Sequence, residues 1–103
     1  MERIDAELIR QSANLISENF DLKTFIDVSD YESLLNALAK AVKNYLDSDL
    51  NGLLNTLYRI DINESDVRGI LTTAPPEKME KLLAEKILQR ELQKVHTRRK
   101  YRV

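Results

Sequence analysis

The residues with chemistry to offer in this 103-residue chain are few. Asp47-Ser48-Asp49-Leu50-Asn51-Gly52 opens like a calcium loop, with alternating side-chain oxygens and a glycine for the turn. The twelfth position of such a loop must donate a bidentate carboxylate, and here it is Tyr58. Leu54 and Leu57 also follow a helical period through the supposed loop, so the acids are expected to cap a helix and to hold no metal. Asp61, Glu64 and Asp66 form a carboxylate cluster, but acid–base catalysis needs a cleft that shifts one of them, and capping explains the same residues more simply. His96 is the only histidine and cysteine is absent, which leaves no histidine-rich zinc site, no thiolate ligand and no Cys–His nucleophile pair. No catalytic residue and no cofactor are assigned, and the chain reads as a non-enzyme.

The remaining chemistry is basic. Residues 89–103 hold Arg90, Lys94, Arg98, Arg99, Lys100 and Arg102 against the single acid Glu91, while the rest of the chain is net acidic and the formal charge is −1. Tyr101 sits inside this run, where its ring can stack on a base or on a partner's side chain. Arg90, Lys94, Arg98, Arg99, Lys100, Tyr101 and Arg102 are therefore the candidate contact residues for a protein partner or for nucleic acid. The competing account is a solvated helix end that offsets the helix dipole and the acidic body.

These residues must be positioned by helices. Glycine and proline number two each, and apolar residues recur at three- and four-residue spacings nearly throughout. The spacing predicts a first helix over residues 4–19, carrying Ile4, Leu8, Ile9, Ala13, Leu15 and Ile16. Residues 20–28 lack a helical period and read as a packed connection. Ser29-Asp30-Tyr31-Glu32 reads as a capping box with Ser29 at the cap, opening a second helix with Leu34, Leu35, Leu38, Ala41, Val42 and Tyr45 on its buried stripe. Asp47-Ser48-Asp49 caps a third helix bearing Leu50, Leu53, Leu54, Leu57 and Tyr58, or the second helix runs into it through a kink. Tyr31, Tyr45 and Tyr58 are expected to pack in the core. Asn63-Glu64-Ser65-Asp66 caps a short fourth helix, and Pro75-Pro76-Glu77 opens a last one reaching about residue 97. At 1.5 Å per residue that last helix spans the whole domain.

The stretch Leu53-Leu54-Asn55-Thr56-Leu57-Tyr58-Arg59-Ile60-Asp61-Ile62-Asn63-Glu64, followed by a long helix ending Gln89-Arg90-Glu91-Leu92-Gln93-Lys94 and a basic tail, resembles short uncharacterised bacterial proteins sharing an L-Y-R-I-D-[IV]-x-E core. The resemblance covers about residues 34–103 and implies a compact helical fold in a bacterial cytoplasm, with no activity, cofactor or catalytic residue attached. Within that core, Leu57, Tyr58, Ile60 and Ile62 are expected to anchor the exit of the third helix. Arg59 and Asp61 flank the turn, positioned to pair with each other or with neighbouring helices.

The expected architecture is all-α: a compact bundle of four to five helices with a long C-terminal helix, one helical domain over residues 1–97 and a basic tail at 98–103. No window approaches the 18 apolar residues of a membrane span, the N-terminus is acidic where a signal peptide is basic, and cysteine is lacking. These features point to the cytoplasm and disfavour a membrane partner. The expected function is protein–protein interaction without catalysis, through a protein partner or as a homodimer. Nucleic-acid binding through the basic helix end is the alternative.

Overall fold

A computed structural model describes the backbone of residues 6–20 and 30–101; residues 1–5, 21–29 and 102–103 lie outside the described set. Ile4, the connection at 20–28 beyond Phe20, Ser29 and Arg102 therefore receive no structural account. Among the described residues there are five helices and no strand: α1 (Ala6–Phe20), α2 (Tyr31–Ser48), α3 (Leu50–Arg59), α4 (Glu64–Thr73) and α5 (Pro76–Tyr101).

Each helix boundary has a local cause. α2 begins on Asp30, whose carboxylate accepts from the Ser33 amide at 2.8 Å and from the Ser33 hydroxyl at 3.0 Å. The expected cap was Ser29; a carboxylate one residue later accepts both donors and fixes the start there. α2 and α3 are separate helices. Asp49 closes one, its amide donating to the Tyr45 carbonyl, and opens the other, its carboxylate accepting from the Gly52 amide at 3.0 Å. Gly52 has a specific reason to lack a side chain, because a Cβ built there would stand 2.3 Å from the Asp49 carboxylate. The apparent calcium ligand is thus a capping group.

Asn63 caps α4 by accepting from the amides of Ser65 and Asp66. α5 starts at Pro76, where the missing amide has no intrahelical partner to lose. It continues to Tyr101, past the expected end near residue 97, so residues 98–101 of the basic tail are helical. Its 26 residues make a rod of about 39 Å, close to the longest dimension of the molecule, 41 Å.

α5 is the spine against which α1, α2 and α4 pack, while α3 packs on α2. One face of each helix feeds a single core. Leu8, Ile9 and Ile16 come from α1, Leu34, Leu38 and Val42 from α2, Leu53 and Leu57 from α3, and Val67 from α4. α5 supplies Leu83, Ile87, Leu88, Leu92 and Val95. No described helix is long and apolar enough to cross a membrane.

Candidate functional site

The turn after α3 organises the first of the sequence-predicted contact residues. The Asp61 amide donates to the Tyr58 carbonyl at 3.1 Å and the Ile62 amide to the Leu57 carbonyl at 3.2 Å. This pair of reversed hydrogen bonds is a standard helix C-terminus, and it requires the residue after the cap to adopt a left-handed conformation. That residue is usually glycine; here Asp61 takes it, with φ of 66°. Ile62 and Leu57, the two positions that touch in such a cap, are both buried. The L-Y-R-I-D-I segment is thus the terminating device of α3.

Arg90 reaches across from α5 to complete it. Its Nε donates to the Ile60 carbonyl at 3.2 Å, one terminal nitrogen to Gln93 Oε1 at 3.0 Å, and the other lies 3.4 Å from Asp61 Oδ2. A cation at the negative end of the α3 dipole, bonded to the cap carbonyl, stabilises the turn and locks it to α5. Asp61 pairs with Arg90, not with Arg59, which is exposed. One helical turn earlier, Lys86 stands 3.5 Å from Asp66 of α4. These pairs bridge a cleft of about 500 Å³ whose α5 wall presents Lys86, Arg90 and Gln93 and whose opposite wall presents Asp61, Asn63 and Asp66. Its charges are mutually matched.

Lys94 is committed in another way. Its Nζ lies 3.3 Å from Oε1 of Glu91, a carboxylate only 1 % exposed, inside the stripe that packs α5 into the core. The second carboxylate oxygen of Glu91 is buried with no hydrogen-bond partner among the described residues, and the Ser12 hydroxyl of α1 is in the same condition. Of the remaining candidates Arg98 is exposed, whereas Arg99, Lys100 and Tyr101 have described backbone only, in the last turn of α5. Arg90 and Lys94 turn back onto the protein.

A different surface emerges on α3. Leu53, Thr56 and Leu57 face inward. Leu50 and Tyr58, the latter expected in the core, are 44 % and 49 % exposed, and half-buried Leu54, four residues from each, packs against the core. The apolar surface that meets solvent is therefore Leu50 at the start of α3 and Tyr58 near its end. Asn51 and Asn55 flank it, and Arg59 is the only charged residue in the helix. A charge-free outer face carrying leucine and tyrosine is unusual in a chain that is 32 % charged, and it has the composition of the centre of a protein interface.

Compared with family models, with curated proteins and with solved structures, the chain finds no match in any of the three. Its site must be argued from its own geometry. Among the described residues no group of three or more His, Asp or Glu side chains is placed to hold a metal ion. Two features escaped the sequence. Glu91 was counted with the basic run, although it falls on the helical stripe of Ala84, Ile87, Leu88 and Val95 and so was due to be buried. The outer surface of α3 had a signal too, since Leu50, Leu54 and Tyr58 repeat at four residues beside the inner line of Leu53, Leu57 and Ile60.

Proposed function

We propose that this protein is a non-enzymatic interaction module that recognises a protein partner through the outer face of α3. The observation that carries this is the uncharged outer surface of α3, where Leu50 and Tyr58 stand open to solvent beside the exposed amides of Asn51 and Asn55. Tyrosine supplies a large rigid contact surface with a polar tip, which is why it is enriched where interfaces derive most of their binding energy. Asp49 and the cap at Ile60–Ile62 pin both ends of α3. The surface is therefore presented on a rigid element, and little ordering entropy has to be lost on binding.

The commitment of Arg90 and Lys94 to intramolecular contacts favours a protein partner over nucleic acid. Arg90 already engages the Ile60 carbonyl and Asp61, and Lys94 engages Glu91, so part of their charge and donor capacity is spent within the protein. A cytoplasmic setting suits a chain without cysteine. The test is quantitative capture of partners from cell lysate by the wild type and by Leu50→Asn/Tyr58→Asn, a surface variant that leaves the buried face intact. Loss of a specific protein on the variant supports the interface, and equal recovery by both rejects it. Fluorescence anisotropy with single- and double-stranded nucleic acid, at about 50 and 200 mM salt, tests the alternative, since phosphate contacts lose affinity steeply with salt.

A further inference from the structure

We infer that α4 is a switch segment: it unfolds and refolds locally while the other four helices stay packed, removing and restoring one wall of the polar cleft. A helix of ten residues is too short to hold its own backbone in water, so α4 persists only while its packing does. That packing is small. Val67 is its one fully buried side chain, Ile70 and Leu71 are half-buried against the core, and the helix lies mainly on α5. By contrast, α2 buries five side chains and packs on α1, α3 and α5. Gly69 stands in the middle of α4, where glycine favours the unfolded chain.

Polar contacts hold α4 to itself more than to its neighbours. Arg68 pairs with Glu64, and the hydroxyls of Thr72 and Thr73 donate to the carbonyls of Arg68 and Gly69. The amides of Val67 and Ala74 likewise donate to Asn63 and Ile70 within the same segment. Among the described residues the only polar link to another element is Lys86 with Asp66, whose side chains are 41 % and 49 % exposed, and a pair so open to water is weak.

Both neighbouring helices are closed without α4. α3 ends on its own cap, in which the amides of Asp61 and Ile62 return to α3 carbonyls and Arg90 holds the carbonyl of Ile60. α5 begins at Pro76, which has no amide to satisfy, and Lys78 donates to the Pro75 carbonyl at 2.9 Å. Melting residues 64–73 therefore breaks no hydrogen bond of α3 or α5. It takes Asp66 out of the cleft wall, leaves Lys86 without its acid, and opens the part of the core that Val67 covers. Arg90 and Asp61 keep each other, because both belong to the part that stays folded.

Native-state hydrogen exchange of the full wild-type chain, read residue by residue by NMR at increasing sub-denaturing urea, tests this directly. The amides of residues 68–73 are expected to exchange together, at least about tenfold faster than the slowest amides of α2 and α5. Their rates should hardly respond to urea, because opening ten residues exposes little surface, whereas the core amides accelerate steeply. Val42→Ala, at a buried position of α2 that stays folded in both states, should speed the core amides about tenfold and leave those of α4 unchanged. Amides of α4 that exchange with the core at every urea concentration, or that accelerate with it in Val42→Ala, would overturn the inference.

Discussion

Replacing Glu91 should make the protein more stable, although Glu91 has an ion-pair partner. Its carboxylate is almost wholly buried, one oxygen meets Lys94 at 3.3 Å, and the other meets no hydrogen-bond donor among the described residues. A buried charge costs several kcal/mol in desolvation, and one cation at the rim of the core recovers only part of that. The side chain of Lys94 is 24 % exposed, so water further weakens the attraction. Glu91→Met keeps an unbranched side chain of similar volume and good helix propensity while removing the charge and the unsatisfied oxygen. Replacing buried pairs by apolar residues has stabilised proteins by about 1–4 kcal/mol, and the solvated lysine places this case near 1–2 kcal/mol. For a domain of this size each kcal/mol is worth about 4–8 °C in melting temperature. Lys94→Met alone does the opposite: it leaves the carboxylate buried without a cation and should cost about 2–4 kcal/mol. The double variant should sit close to Glu91→Met, with the large coupling expected of groups in contact. Urea unfolding followed by circular dichroism gives all four corners of the cycle. If Glu91→Met lost more than about 1 kcal/mol, the carboxylate would be making an interaction worth more than its desolvation, and the reasoning would fail.

Further outcomes concern the two glycines, the α3 cap and the groups that titrate at the start of α2. Gly69→Ala should gain about 0.5–1 kcal/mol, since a Cβ there meets nothing within 4 Å. Gly52→Ala should gain nothing or lose stability, because the same propensity term of about 1 kcal/mol is offset by a cap of similar worth that the new methyl displaces. Comparing the two urea midpoints separates these effects. Asp61→Gly should be near neutral, trading relief of the left-handed backbone against an exposed ion pair worth at most about 1 kcal/mol; Asp61→Val should cost about 2 kcal/mol or more by forcing a β-branched residue to a φ of 66°. Acid should weaken α2. The Ser33 amide and then its hydroxyl, donating to Asp30, hold that carboxyl below its ordinary value, so its contribution is complete above the usual carboxylate range and is lost as pH falls through the lowered value. Asp30→Asn keeps the cap and should flatten the acid limb of a pH–stability curve. At the other extreme, burial and then the charges of Glu85 and Glu32 raise the Tyr31 phenol, so stability should fall as pH climbs above 10.0.

Local signals were readable in the chain because they act over two or three residues. Asp49 before Gly52, Asn63 before Asp66, and Pro76 at a first turn each satisfy or excuse an amide close in sequence, and a reader of the sequence sees the donor and the acceptor together. Asp30 is the cap where Ser29 was expected, its carboxylate accepting from both the amide and the hydroxyl of Ser33. What was not legible depends on where helices lie relative to one another. Arg90 caps a carbonyl thirty residues away, and nothing in its own neighbourhood announces this. The left-handed Asp61 was not legible because that conformation usually belongs to glycine; the buried pair of Leu57 and Ile62 around it is the sequence trace that such a cap leaves.

The same distinction governs the site. Charge is visible in a sequence and burial is not, so the run from Arg90 to Arg102 drew attention while α3, with one charge, did not. Folding inverts the two. α5 uses Lys86, Arg90 and Lys94, spaced four residues apart, to fasten α4, the α3 cap and its own buried glutamate, and these cations are then engaged internally. α3 has no charge on its outer face to hold water and leaves Leu50 and Tyr58 exposed. On the interaction reading proposed above, a helix held at both ends by caps, with Leu50 and Tyr58 turned outward, is where a protein partner would bind. If solvent were its only neighbour, substituting asparagine at Leu50 and Tyr58 should cost some stability, since each side chain is still about half covered, and leave what the protein binds unchanged.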